Sequence, residues 1–115
     1  MLEDWILIKK ETENSKSKLR GADLSNAKLM GAKLDGADLT QADLSSAYLI
    51  KADLRKAKLA GADFTQAVLS EANLSGADLE NAELMDSYLH GANLEGVTNL
   101  TCEQIELANF DKDTI

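Results

Sequence analysis

Proline is absent from the 115 residues and aromatic side chains make up only 4% of them, so any core is aliphatic and every turn forms without proline. The single cysteine, Cys102, excludes an internal disulfide. No purely apolar run exceeds Trp5 to Ile8, far below the roughly 20 residues of a membrane-spanning helix. Glu3 and Asp4 do not fit a signal or transit peptide, and the expected location is cytoplasmic. Basic residues are the minority, 12 against 20 acids for a net charge of −8, which disfavours direct contact with nucleic acid or an anionic membrane. The length suits one domain and excludes most two-domain enzymes. With 44% hydrophobic residues the chain can still bury a core.

What the chain does have is a repeat. Leucine occupies every fifth position from Leu24 to Leu94, with Phe64 the one substitution: Leu24, Leu29, Leu34, Leu39, Leu44, Leu49, Leu54, Leu59, Phe64, Leu69, Leu74, Leu79, Leu84, Leu89 and Leu94. Alanine stands two places before each, from Ala22 to Ala92, except at Ser87. All seven glycines share one register, two places after a central leucine, with six directly before an alanine and Gly96 before Val97. A five-residue step turns an α-helix by about 500°, so these leucines form no helical stripe. In a flat strand an odd step sends them alternately to opposite faces. The chain must therefore turn once per repeat, with each central leucine and alanine inward and the other three positions outward. Glycine, asparagine and serine at the corners suit tight turns.

The outward residues decide how many sides make one coil, because residues one coil apart become ladder neighbours. At a spacing of twenty they fall into chemically coherent rows. One is Asp23, Asp43, Asp63 and Glu83; a second is Lys28, Tyr48, Val68 and Tyr88. The third is Lys33, Asp53, Asn73 and Asn93, and the fourth alternates charge through Lys18, Asp38, Lys58 and Asp78. A spacing of fifteen would set Tyr48 beside Asp63 and destroy that alternation. The expected coil has four sides and twenty residues.

Units such as Gly21–Ser25, Gln41–Ser45 and Gly76–Glu80, with Ala, Asp or Asn, Leu and two variable residues, closely resemble the pentapeptide repeat family. The resemblance covers Leu19 to about Gly96 and implies an all-β solenoid, a right-handed quadrilateral β-helix of about four coils. It is of the kind abundant in cyanobacteria, where most members lack an assigned biochemical function. The tail from Leu100 to Ile115 also resembles a C-terminal segment that often follows such repeats.

The expected organisation is an N-terminal cap or linker over residues 1–18, the β-helix over 19–97 and a C-terminal cap over 98–115. Thr101 and Gln104 match a capping box, and Leu100 and Ile105 a hydrophobic staple, which predicts a short helix from about Cys102 to Ala108 closing the last coil. At the other end Leu2, Trp5 and Ile6 have helical spacing while Trp5 and Leu7 have strand spacing, and Glu11 to Lys18 reads as a linker.

Catalysis needs a positioned nucleophile, base and orienting group. The nearest approach is Ser70 and His90 in one outward row with no carboxylate, so no enzyme, catalytic residue, cofactor, metal site or small-molecule substrate is expected. Cys102, at the start of a capping helix, is expected to be a small semi-buried residue. Two surface features remain. Met30, Tyr48, Ile50, Val68, Tyr88 and His90 form one apolar and aromatic side, a candidate protein interface or self-association face. Asp23, Asp43, Asp63 and Glu83 form an acidic ladder whose like charges invite a functional reading. The leading expectation is a non-catalytic protein-interaction module. The alternative, implied by the family resemblance, is a DNA mimic acting on DNA gyrase through the acidic side, although four rungs span only about 20 Å.

Overall fold

Each five-residue unit closes one β-turn. The alanine N–H donates to the preceding central carbonyl, as from Ala27 to Leu24 at 3.1 Å and from Ala52 to Leu49 at 2.9 Å. The residue before each alanine has a positive φ, at every fifth position from Gly21 to Gly96. A left-handed third position with that hydrogen bond defines a type II turn. Seven of these corners are glycine and nine are not, with Lys51, Lys56 and Glu71 held near φ 60°. Each non-glycine corner costs about 1 kcal/mol, which the ladder must offset. Gly61 has a second reason to be glycine: a Cβ there would stand 3.1 Å from Gln41 Cγ one coil below.

This structure, a computed structural model, describes residues 2–114, with side chains from Ile6 onward. Parallel bridges link residues twenty apart on all four sides, among them Asp23 with Asp43, Tyr48 with Val68, Asp53 with Asn73 and Lys58 with Asp78. Between bridges the central residue also donates to the next coil, as from Leu29 to the Tyr48 carbonyl at 2.8 Å. A turn intervenes after every bridge, so among the described residues the sides are rows of isolated bridges with no extended strand. Inward, every central residue from Leu29 to Leu89 in steps of five, Phe64 included, is at most 3% exposed. Leu94, expected in the core, is only half-buried beside Val97, because the side it occupies has no following coil above it. Ser87 fills an alanine position, and its hydroxyl donates to the Leu84 carbonyl at 2.9 Å.

The first end is finished by helix α1, Leu2–Glu13, and a 3-10 turn, Lys16–Lys18. The expected linker from Glu11 is thus partly helical. The Leu2 and Trp5 side chains invoked for that end lie outside the described residues. The Glu13 carboxylate accepts from the Lys33 N–H at 2.7 Å and replaces the carbonyl of a missing coil. The Lys16 carbonyl accepts from the Asp38 N–H at 2.8 Å, one residue further back than the regular ladder spacing, so Ser17, and not Lys18, takes the rung under Asp38. The 3-10 turn shifts the register by one residue and removes Lys18 from the charge-alternating row. Lys16 Nζ also reaches Asp35 at 2.8 Å.

At the other end α2 is short, Cys102–Glu106, with Leu107 as its C-cap in place of the expected extension to Ala108. Thr101 and Gln104 form the capping box. Gln104 does more: its Nε2 donates to the Leu79 and Ala82 carbonyls at 2.8 and 3.0 Å. The chain then rejoins the ladder, with Asn109 bridged to Tyr88. Asp111 accepts from the Gly91 N–H at 3.2 Å, and Thr114 donates to the Leu89 carbonyl at 2.7 Å. Gln104→Glu would keep the capping box acceptor while placing a carboxylate against two carbonyls. It is expected to lower stability by about 2 kcal/mol in urea unfolding, whereas an isolated capping box would tolerate the change.

Candidate interaction surfaces

The tyrosine side is built directly by the ladder. Lys28, Tyr48, Val68, Tyr88 and Asn109 are bridged in succession, so the two tyrosines stand two rungs apart with the smaller valine between them. Tyr48 and Tyr88 are 43% and 44% exposed, although the backbone beneath them is fully paired into the ladder. Val68, Met30 and Ile50 are half-buried, and His90 is exposed. The Tyr88 and His90 rings stack with centroids 6.4 Å apart and an interplanar angle of 28°. Because valine is short, a shallow cleft of about 400 Å³ opens over it, bounded by Tyr48 and Tyr88 and rimmed by Ser46, Gln66, Asp86 and Asn109. An aromatic pair with a polar rim can hold one slim apolar side chain of a partner and hydrogen-bond around it.

The acidic row has a local physical cause. Asp23 Oδ1 accepts from the Ser25 N–H and hydroxyl at 3.1 and 2.7 Å. Asp43 does the same with Ser45 at 3.0 and 2.6 Å, and Asp63 with Thr65 at 2.9 and 2.6 Å. These are Asx turns, in which a short side chain accepts from the backbone two residues on. The device recurs on other sides, where Asn73 accepts from Ser75 and Asn93 from Glu95 without any charge. Acidity at this register is thus incidental to the turn. Glu83, one methylene longer, sits at the end of the row beside α2.

The hydrogen bonds set the ionisation. The Ser25 hydroxyl and then its N–H hold the Asp23 carboxyl below its usual range, and Thr40 does likewise for Asp38. Asp53 is lowered chiefly by the Arg55 guanidinium, which binds it at 2.8 and 2.7 Å. A carboxyl lowered in the folded state adds stability above its unfolded pKa and loses it as pH falls through the lowered value. Asp23, Asp38 and Asp53 thus favour the fold at neutral pH and cease to do so in acid.

A second concavity, about 810 Å³, lies between the last coil and α2 and was not evident in the sequence. Leu84, Met85, Leu100 and Leu107 supply its apolar wall, with Glu80 and Glu103 among the polar lining. The outward positions of Met85 and Leu107 were the only signal for it, and both are about half exposed, at 49% and 51%. Cys102, the first residue of α2, is exposed, contrary to the semi-buried expectation. Among the described residues no cluster of three or more His, Cys, Asp or Glu is arranged to hold a metal ion. No helix among them is long and apolar enough to cross a membrane.

Comparison with known proteins agrees with this geometry. The sequence model described as pentapeptide repeats matches in eight copies, over residues 15–45, 47–84 and 62–98. A pentapeptide repeat protein of the Arabidopsis thaliana thylakoid lumen is 36% identical with a TM-score of 0.70, over 84% of this chain and 62% of its own length. A pentapeptide repeat protein from Nostoc is 30% identical with a TM-score of 0.67, over 92% of this chain and 95% of its own. A plasmid-mediated fluoroquinolone resistance protein matches at 16% identity and a TM-score of 0.48 over 86% of this chain and 50% of its own, too distant to support an argument. No curated protein sequence matches the chain. With the repeat model spanning most of its length and two such relatives sharing its shape, the chain belongs to the pentapeptide repeat family and has that family's right-handed quadrilateral β-helix.

Proposed function

We propose that the chain is a non-catalytic interaction module that docks a partner protein on the side carrying Met30, Tyr48, Ile50, Val68, Tyr88 and His90. The observation that supports it most is the pair of exposed tyrosines held on a fully hydrogen-bonded ladder. Side chains on so rigid a base lose little backbone entropy on binding, and tyrosine is favoured at interface centres. The DNA-mimic alternative loses its motive where Asp23, Asp43 and Asp63 already serve as turn acceptors. A cytoplasmic site of action belongs to the same proposal, alongside a relative found in the thylakoid lumen.

Tyr48→Glu with Tyr88→Glu is expected to reduce capture of the partner by at least about tenfold in a quantitative pull-down from source extract. Asp43→Asn with Asp63→Asn should leave it unchanged, since asparagine keeps the Asx turn. Equal capture by both variants would contradict the tyrosine reading. Inhibition of gyrase supercoiling that the asparagine variant loses would favour the mimic.

A further inference from the structure

The cleft over Val68 has a polar chemistry that its apolar floor does not explain. Among the residues lining it only Asp86 is charged, while Ser46, Gln66 and Asn109 each offer an oxygen. Asp43 and Asp63 engage their carboxylates inside their own turns, whereas the Asp86 carboxylate makes no hydrogen bond or ion pair among the described residues. Tyr88 stacks on His90, two places after it, and lines the cleft with Asp86, two places before it. Its ring therefore covers His90 with one face and offers the other to the cleft. Along the ladder a group over Val68 is one rung, about 4.8 Å, from each tyrosine, inside the roughly 6 Å at which a ring attracts a cation. Bases are scarce here. Residues 60–115, which supply Gln66, Val68, Asp86, Tyr88 and Asn109, carry eleven acids against Lys112 alone. Lys28, the one base in the tyrosine row, lies two rungs below Val68, about 10 Å away, where salt at about 0.15 M screens it.

We propose that this cleft is an arginine site, receiving one arginine side chain of the partner protein, a reading that rests on the tyrosine side being the docking face. Guanidinium is the cation whose shape fits. Its flat faces stack on aromatic rings, and its N–H donors lie in the plane around its edge, where the Asp86 carboxylate and the Gln66 amide oxygen can accept them. The aliphatic stem of the same side chain is the slim apolar part for which Val68 leaves room. A lysine ammonium is a compact, strongly hydrated charge without a flat face to stack. A wholly apolar side chain would strip water from the Asp86 carboxylate and give it no partner in return.

Titration of the whole nitrogen-labelled chain with capped tripeptides, followed by amide chemical shifts, tests this. The central residue is arginine, lysine or citrulline, the last being the uncharged analogue of arginine. The arginine peptide is expected to bind saturably in the low millimolar range, about the affinity one side chain can supply, with the largest shifts at Val68, Asp86 and Tyr88. Lysine should bind at least about fivefold more weakly and citrulline at least about tenfold. Tyr88→Leu, which keeps an apolar group but loses the ring, should weaken arginine binding at least about fivefold, while Tyr88→Phe should stay within about twofold. Asp86→Asn should also cost at least about fivefold, and asparagine tolerates the left-handed corner at φ 57°. No saturable shift with arginine up to about 50 mM would overturn the proposal. So would equal binding of lysine or citrulline, an unaffected Tyr88→Leu variant, or shifts centred on Glu80, Glu83 and Glu103, which would put the cation in the groove beside α2. Capture lost in the Tyr48→Glu, Tyr88→Glu variant, together with no arginine binding, would refute this inference and leave the docking face standing. Arginine binding with capture unchanged in that variant would uphold the arginine site and refute the docking face.

Discussion

Leu54→Lys is expected to leave the chain unfolded at 25 °C. Leu54 is fully buried, and its N–H donates to the Asn73 carbonyl at 2.7 Å, so the backbone cannot swing the side chain outward without opening the ladder. It lies one coil from Leu34 and Leu74, both at most 2% exposed, in a column that is aliphatic throughout. An ammonium group there loses its hydration and finds no carboxylate, since Asp53 and Asp63 of this coil face outward into Asx turns. The cost of several kcal/mol, added to the lost leucine packing, rivals the about 5–15 kcal/mol by which whole domains are stable. Leu54→Ala, which only opens a cavity, should cost about 3 kcal/mol. Arg55→Lys, one residue on, alters an exposed pair with Asp53 and should cost under about 1 kcal/mol. Urea unfolding followed by circular dichroism separates the three; equal losses at positions 54 and 55 would mean that inward and outward are misassigned.

Removing residues 100–115 should have the second largest effect. It deletes the Gln104 bonds to the Leu79 and Ala82 carbonyls, the Asn109 bridge to Tyr88 and the Thr114 bond to the Leu89 carbonyl. It also strips Ala108 and the half-buried Ile105 from the top of the core. With roughly 1 kcal/mol per hydrogen bond, plus the apolar loss, the melting temperature should fall by about 10 °C or more. The bared coil then offers an open edge, so the truncated chain should also aggregate. A truncated protein that stays monomeric and melts like the full chain would show that the tail closes nothing.

Much of the fold is legible in one dimension because each unit is governed by its own five residues. The inward leucines and alanines carry the period, and the outward tyrosines and alternating charges carry the coil length. The ends were less legible for a physical reason: they are set by what the first and last coils lack. Glu13 is a polar residue in a polar stretch until the Lys33 N–H, twenty residues on, needs an acceptor. Lys18 fits the charge-alternating row by spacing, yet the 3-10 turn offsets the register by one residue and places Ser17 there instead. The competing helix and strand spacings around Trp5 gave no decision for α1. The acidic row carries a local signal of its own, since Asp-Leu-Ser at Asp23 and Asp43 and Asp-Phe-Thr at Asp63 are Asx-turn patterns. The groove beside α2 exists only once the tail folds back over the last coil, so no local pattern announces it.

The central claim is that twenty residues make one four-sided coil, and scalar couplings across hydrogen bonds measure it directly. In an isotopically labelled sample the nitrogen of Leu49 should couple to the carbonyl carbon of Val68, and that of Leu69 to Tyr88, matching bonds of 2.7 and 2.8 Å. A three-sided coil of fifteen residues would instead couple Leu49 to Asp63, and a helix would couple it to Ser45. Either of those couplings, in place of the pairs nineteen apart, would contradict the account.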